Sequence, residues 1–208
     1  VYGIYSDSGC TNKVQELTTD SNGYAKSKAL VAGTYYLKEI KAPNKYVISN
    51  KVHTLTVKAG QTTGVTATDK EQLGAITICK EGEVLSGWNG SNFTYEKKYL
   101  PGDTFKVTAG AAIYKADGTK VFNKGDVIKE AVTTGIDGKV IVTDLHLGTY
   151  VVTETGTIDG YTINTTPQTV DIQYKDQTVD IQYEATSIYN TRQKANVSVV
   201  KKDSDTDN

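Results

Sequence analysis

The chain has 208 residues, 38% of them hydrophobic, with 23 basic side chains against 24 acidic ones. That length and composition suit two small domains with modest cores. The near balance of charge excludes the basic footprint of a nucleic-acid binder and the polybasic patch of a membrane-surface protein, and no run of about 18 apolar residues is present to cross a bilayer.

Val1-Tyr2-Gly3-Ile4-Tyr5 lacks the charged and apolar regions of a signal peptide, so targeting signals are expected outside this stretch. Further along, valine, threonine, tyrosine and isoleucine recur in short alternating runs, such as Thr54-Leu55-Thr56-Val57 and Val140-Ile141-Val142. Asn-Gly, Asp-Gly and Gly-Asp turn signals separate them, and no amphipathic helix is expected. The fold class is therefore all-β, built from sandwiches of short strands. Cys10 and Cys79 lie far apart without histidines at ligand spacing, so no zinc site, other metal centre, cofactor or disulfide framework is expected.

The chain repeats itself. Residues 18–39 lie over residues 133–154 without a gap, and Leu30, Gly33, Thr34, Tyr35, Glu39 and Tyr46 coincide with Leu145, Gly148, Thr149, Tyr150, Glu154 and Tyr161. A second correspondence joins Asp69-Lys70-Glu71-Gln72 to Asn190-Thr191-Arg192-Gln193, each followed by a strand lysine, Lys80 and Lys201. The expected domains are 1–70, lacking its own first strand, then 73–191, enlarged by Trp88 to Tyr99 and Ala109 to Lys129, and then 195–208, the opening of a third. Glu71 to Leu73 reads as a short, stiff junction. A nine-residue duplication, Gln168 to Asp176 followed by Gln177 to Tyr183, reads either as a hairpin turning at Lys175-Asp176 or as a local duplication without function.

Strand alternation puts Lys80 on the face of Ile76 and Ile78, Glu39 with Leu37, Glu154 with Val152, Asn190 with Ile188, and Asp69 with Val65 and Ala67. In the last fragment Val197, Val199 and Lys201 share a face. A buried lysine and a buried glutamate are each driven toward neutrality. A neutral Lys80 amine can attack the Asn190 side-chain carbonyl while a protonated Glu154 polarises it, releasing ammonia and leaving an amide cross-link. A snorkelling lysine or a plain buried ion pair is the competing reading of any one of these residues alone.

Gly33-Thr34-Tyr35-Tyr36-Leu37-Lys38-Glu39-Ile40-Lys41-Ala42-Pro43-Asn44-Lys45-Tyr46 resembles the acidic-box signature of the collagen-adhesin B-type, or SpaA-like, domains of Gram-positive surface proteins. Gly148 to Tyr161 is a weaker copy without the Ala-Pro pair. Ala75 to Lys80 and Asn196 to Lys201 resemble that family's lysine strand, and Ser187 to Asn190 its terminal strand. The resemblance implies tandem immunoglobulin-like, or transthyretin-like (prealbumin-like), sandwiches, autocatalytic isopeptide bonds, and serial arrangement in an extracellular adhesin stalk or pilus. It implies Lys80, Asn190 and Glu154 as the second domain's triad. For the first domain it implies Glu39 with Asp69, whose lysine is missing from this chain. The Val197 to Lys201 strand of a neighbouring copy is a candidate for that empty slot, with Lys201 linking to Asp69, against a plain boundary within a longer array.

An adhesive module is the alternative function, with Trp88, Asn92 and Tyr95 contacting a host matrix protein or glycan from an insertion of the second domain. An enzyme acting on external substrates is not indicated, because His53 and His146 are the only histidines and no nucleophile grouping or phosphate-binding loop occurs.

Overall fold

The computed structural model describes residues 1–202. Its first part holds β1 (Tyr2–Tyr5), β2 (Lys13–Leu17), β3 (Gly33–Glu39), β4 (Tyr46–Val47), β5 (Val52–Val57) and β6 (Lys70–Glu71). Four of these make one antiparallel sheet in the order β2-β1-β3-β5, and β4 pairs with β6. Ile4, Leu37 and Glu39 are buried on its inner face, as their alternation along β1 and β3 requires.

The second part holds β7 (Leu73–Trp88), β8 (Phe93–Tyr99), β9 (Thr104–Ala109), β10 (Ile113–Tyr114), β11 (Lys120–Phe122), β12 (Val127–Thr133), β13 (Lys139–Leu145), β14 (Gly148–Gly156), β15 (Gln168–Ile172) and β16 (Ile181–Asn190). Two sheets, β12-β9-β14-β15 and β13-β7-β16, enclose a core of Ile76, Ile78, Phe105, Val107, Tyr150 and Ile188 with their neighbours. The strict alternation of β9 and β14, in which every second residue is buried, is what a sandwich face demands. The chain is thus all-β, as the alternating runs predict. Long β7 carries on past the core to pair with β8, and β10 with β11 closes a small hairpin at Asp117-Gly118.

Three local expectations are corrected. The nine-residue duplication makes no hairpin: β15 pairs with β14 and β16 pairs in parallel with β7, so residues 173–180 cross from one sheet to the other. An odd period carried straight on would turn the apolar face outward, and changing sheets avoids that. Residues 58–69 form no strand, so Asp69 does not share a strand face with Val65 and Ala67. The counterpart of this segment, β16, is held by β7, and the first part offers no equivalent of β7 to pair with. Val197 to Lys201 also forms no strand and is exposed, having no neighbour to complete a ladder. Residues 203–208, the rest of the expected third piece, lie outside the described residues. Both cysteines are free, and among the described residues there is no helix and no cluster with metal-ligand composition.

Candidate functional site

Lys80 enters the core because β7 alternates and because both of its neighbours grip its backbone. Lys80 N donates to Gly138 O at 2.8 Å, and Leu100 N donates to Lys80 O at 2.9 Å. Gly138 has φ 67°, and a Cβ there would lie 2.8 Å from Leu100 N, so glycine alone lets the β13 turn approach this closely. The Lys80 and Glu154 side chains are wholly without solvent exposure and stand 3.4 Å apart, Nζ to Oε2. Nζ also donates to Ile188 O at 3.4 Å. Asn190, one step further along the same face of β16, donates from Nδ2 to Glu154 Oε1 at 2.7 Å and to Thr157 Oγ1 at 2.9 Å. Its Oδ1 is buried without a partner. Lys80, Glu154 and Asn190 therefore come together from β7, β14 and β16.

Burial pushes Lys80 below the ordinary lysine range, against the pull of Glu154 and Asp103, and it pushes Glu154 above the carboxylate range. Both groups are driven toward their neutral forms, an amine beside a carboxylic acid. That is the protonation state a nucleophilic lysine needs.

The first part repeats half of this site. Ser49 N donates to Glu39 Oε2 at 2.8 Å, and Asn164 N donates to Glu154 Oε2 at 3.0 Å, so each glutamate takes an amide from the residue ten positions on. Glu39 is buried and its other oxygen has no partner, as has Asp69 Oδ1. Burial, with the Asp69 charge beside it, holds Glu39 above the carboxylate range. The two carboxyls line an open cavity of about 790 Å³ walled by Ile4, Leu37, Leu55 and Val57. Lys201 is exposed and makes no ion pair among the described residues, so the structure does not bring it to Asp69.

Trp88, Asn92 and Tyr95 have separate contacts. Trp88 packs edge-on against Phe93 at 5.0 Å near the tip of the β7–β8 hairpin, both largely exposed. Asn92 N is tied to Asn89 Oδ1 at 2.8 Å within the turn, and Tyr95 is covered by the Lys194 ammonium 4.3 Å from its ring. Sequence reasoning missed Asp103, Thr157 and Asn164. Asp103 has the parity of Phe105 and Val107, but Gly102-Asp103 reads as a turn and hides it; no sequence signal marks the other two.

Residues 1–71 and 94–187 match the SpaA prealbumin-like fold domain. Over 98 residues the chain is 35% identical to the collagen adhesin of Staphylococcus aureus, a stretch covering 45% of this chain and 8% of that protein. Among solved structures, the Bacillus anthracis TIE protein superposes with a TM-score of 0.54 at 24% identity, over 92% of this chain and 30% of that one. A minor pilin of Streptococcus agalactiae gives 0.41 at 18% identity, over 96% of this chain and 85% of its own. This chain spans a small part of the adhesin and of the TIE protein. With more than half of its length matched, the chain belongs to the family of SpaA prealbumin-like fold domains.

Proposed function

We propose that the chain is a stalk or pilin-like segment of a Gram-positive surface protein, whose units 1–70 and 73–191 are followed by a third beginning near 195, and that Lys80 and Asn190 condense into an isopeptide bond. The observation that carries this reading is the sealed cluster in which Lys80 of the first strand and Asn190 of the last strand of one sandwich meet Glu154 of β14. The adhesin relative fits an extracellular location, with anchoring supplied by parts outside this chain.

The Asn190 amide has two settings related by a half turn, since its oxygen and nitrogen are nearly the same size. In the present one, Nδ2 donates to Glu154 Oε1 and Oδ1 is orphaned. In the other, Oδ1 takes the place of Nδ2, 2.7 Å from Glu154 Oε1 and 2.9 Å from Thr157 Oγ1. A protonated Glu154 and the Thr157 hydroxyl then both donate to the carbonyl, and they stabilise the negative charge that develops on it during attack. The bond would close a loop of about 110 residues and, by analogy with a disulfide, contribute roughly 4–5 kcal/mol through the unfolded state.

In the first unit the cavity beside Glu39 and Asp69 takes a lysine-bearing edge strand. The run 197–201 of a neighbouring copy has the required composition, and Lys201 would meet Asp69 with loss of water. The adhesive reading rests on the exposed Trp88–Phe93 pair alone, and host matrix protein or glycan contact through Trp88, Asn92 and Tyr95 is the secondary proposal.

Intact mass of the denatured protein tests the main reading. The parent is expected to be lighter than its sequence by one ammonia, about 17 Da, and the Lys80→Ala variant to carry its full sequence mass. A parent of full mass overturns the condensation and leaves a buried polar network.

A further inference from the structure

The Lys80 pocket contains one more ionisable group than this chemistry uses. Asp103 has no exposed surface, and neither of its carboxyl oxygens meets a donor. Its position is tightly held. Asp103 N donates to Thr134 Oγ1 at 3.2 Å, Thr134 N donates to Asp103 O at 3.0 Å, and Thr134 Oγ1 donates to Leu100 O at 3.1 Å. Leu100 in turn is bonded to the Lys80 backbone. Asp103 stands two positions before Phe105, the cross-strand partner of Glu154, so alternation sends its side chain to the same inner face. Its charge favours the Lys80 ammonium, and its nearness favours the protonated form of Glu154.

We propose that Asp103 is the general base of the Lys80–Asn190 condensation, taking the first proton from the Lys80 ammonium while Glu154 keeps its own proton to polarise the Asn190 carbonyl. The inference rests on the condensation proposed above. The cluster is net neutral either as an amine with two carboxylic acids, which burial favours, or as the state one proton transfer before it, an ammonium with one carboxylate and one carboxylic acid. That starting state supplies both a base and an acid, which one carboxyl cannot do at once. Lys80 Nζ passes a proton to Asp103, and the freed pair forms the bond to Asn190 Cγ while the carbonyl π pair moves onto Oδ1. Nζ then yields a second proton, relayed through Glu154 to Nδ2. The Cγ–Nδ2 bond breaks, ammonia departs and the carbonyl reforms. The three protons of the ammonium end on Asp103, in ammonia and on the new amide, and no co-reactant is needed.

The test follows intact mass against time after cell-free synthesis of the whole chain, as parent, Lys80→Ala and Asp103→Asn, over a range of pH. Loss of ammonia in the parent and not in Lys80→Ala establishes the condensation; a parent of full mass removes the foundation, and the inference falls with it. With the condensation in hand, Asp103→Asn is expected to link more slowly, on the order of a hundredfold. Its rate should climb as pH rises, because solvent must now take the lysine proton. Glu154 and Asp103 are the titratable groups acting on Lys80, so in this variant Glu154 alone remains to shape that profile. Linking at the parent's rate and with the parent's pH profile overturns the proposal. If Asp103→Asn does not fold, Asp103→Ala, which buries no polar group, replaces it with the same expectations; failure of both to fold also overturns the proposal, since Asp103 would then serve the fold.

Discussion

Glu39 and Glu154 occupy equivalent places in the repeat with different company. Glu154 has the Lys80 amine at 3.4 Å, whereas Glu39 has only Asp69, another carboxyl, beside it. Burial above all, and then the Asp69 charge, hold Glu39 above its ordinary value of 4.5, so the folded chain binds its proton more tightly than the unfolded chain does. Its contribution to stability is complete below that ordinary value and is lost as pH rises through the raised one. Urea titrations followed by the amide resonances of β1, β3 and β5 should show this unit weakening as pH rises above that ordinary value. Glu39→Gln should flatten that dependence, and an unchanged slope in the variant would exclude Glu39 as its source. At this scale the cluster of Lys80, Glu154 and Asn190 was legible because period-two alternation assigns a face to each residue once a strand is recognised. Asp103 was not, because a carboxylate after a glycine has the chemistry of a turn, and only the packing of β9 against β14 turns it inward.

At the scale of elements, the most informative contrast is between β16 and residues 58–69. The sequences end alike, yet only β16 is a strand, and it is one because β7 lies beside it in parallel. Strand formation here is a property of the pair, which is why reading one segment by itself overestimated the order around Asp69. The duplicated nonapeptide misled for a related reason: its two copies carry the same side chains, but one lies on the β14 sheet and the other leads into β16 on the opposite sheet. If the run 197–201 fills the first unit's cavity, concentrated protein should give a ladder of covalent multimers on a denaturing gel, and Lys201→Ala or Asp69→Ala should abolish it. Strictly monomeric bands from the parent would exclude linkage between copies.

The whole molecule turns on Gln72, which is buried between the two units. Its Oε1 accepts from Lys175 N at 3.0 Å and its Nε2 donates to Asp176 O at 3.0 Å. Around it, Ile48 N donates to Gln177 O at 2.7 Å and Ala42 N to Gln177 Oε1 at 2.9 Å. The crossing segment, where the two copies of the duplication meet, thus makes the seam with the first unit, so the duplication has a place in the architecture. Gln72→Ala removes the partner of the Lys175 amide and of the Asp176 and Val179 carbonyls and should cost about 2–3 kcal/mol at the seam. Limited proteolysis near Glu71 to Leu73 should then quicken severalfold while the second unit's core melts unchanged; cleavage at the parent's rate would show that the seam does not depend on Gln72. The parallel alignment of β7 and β16 has a mechanical consequence as well. A pull applied at Leu73 and at Asn190 draws the two strands past each other along their axes, so the hydrogen bonds between them bear the force side by side and must yield together, where an antiparallel pair pulled at its open end would surrender them one at a time.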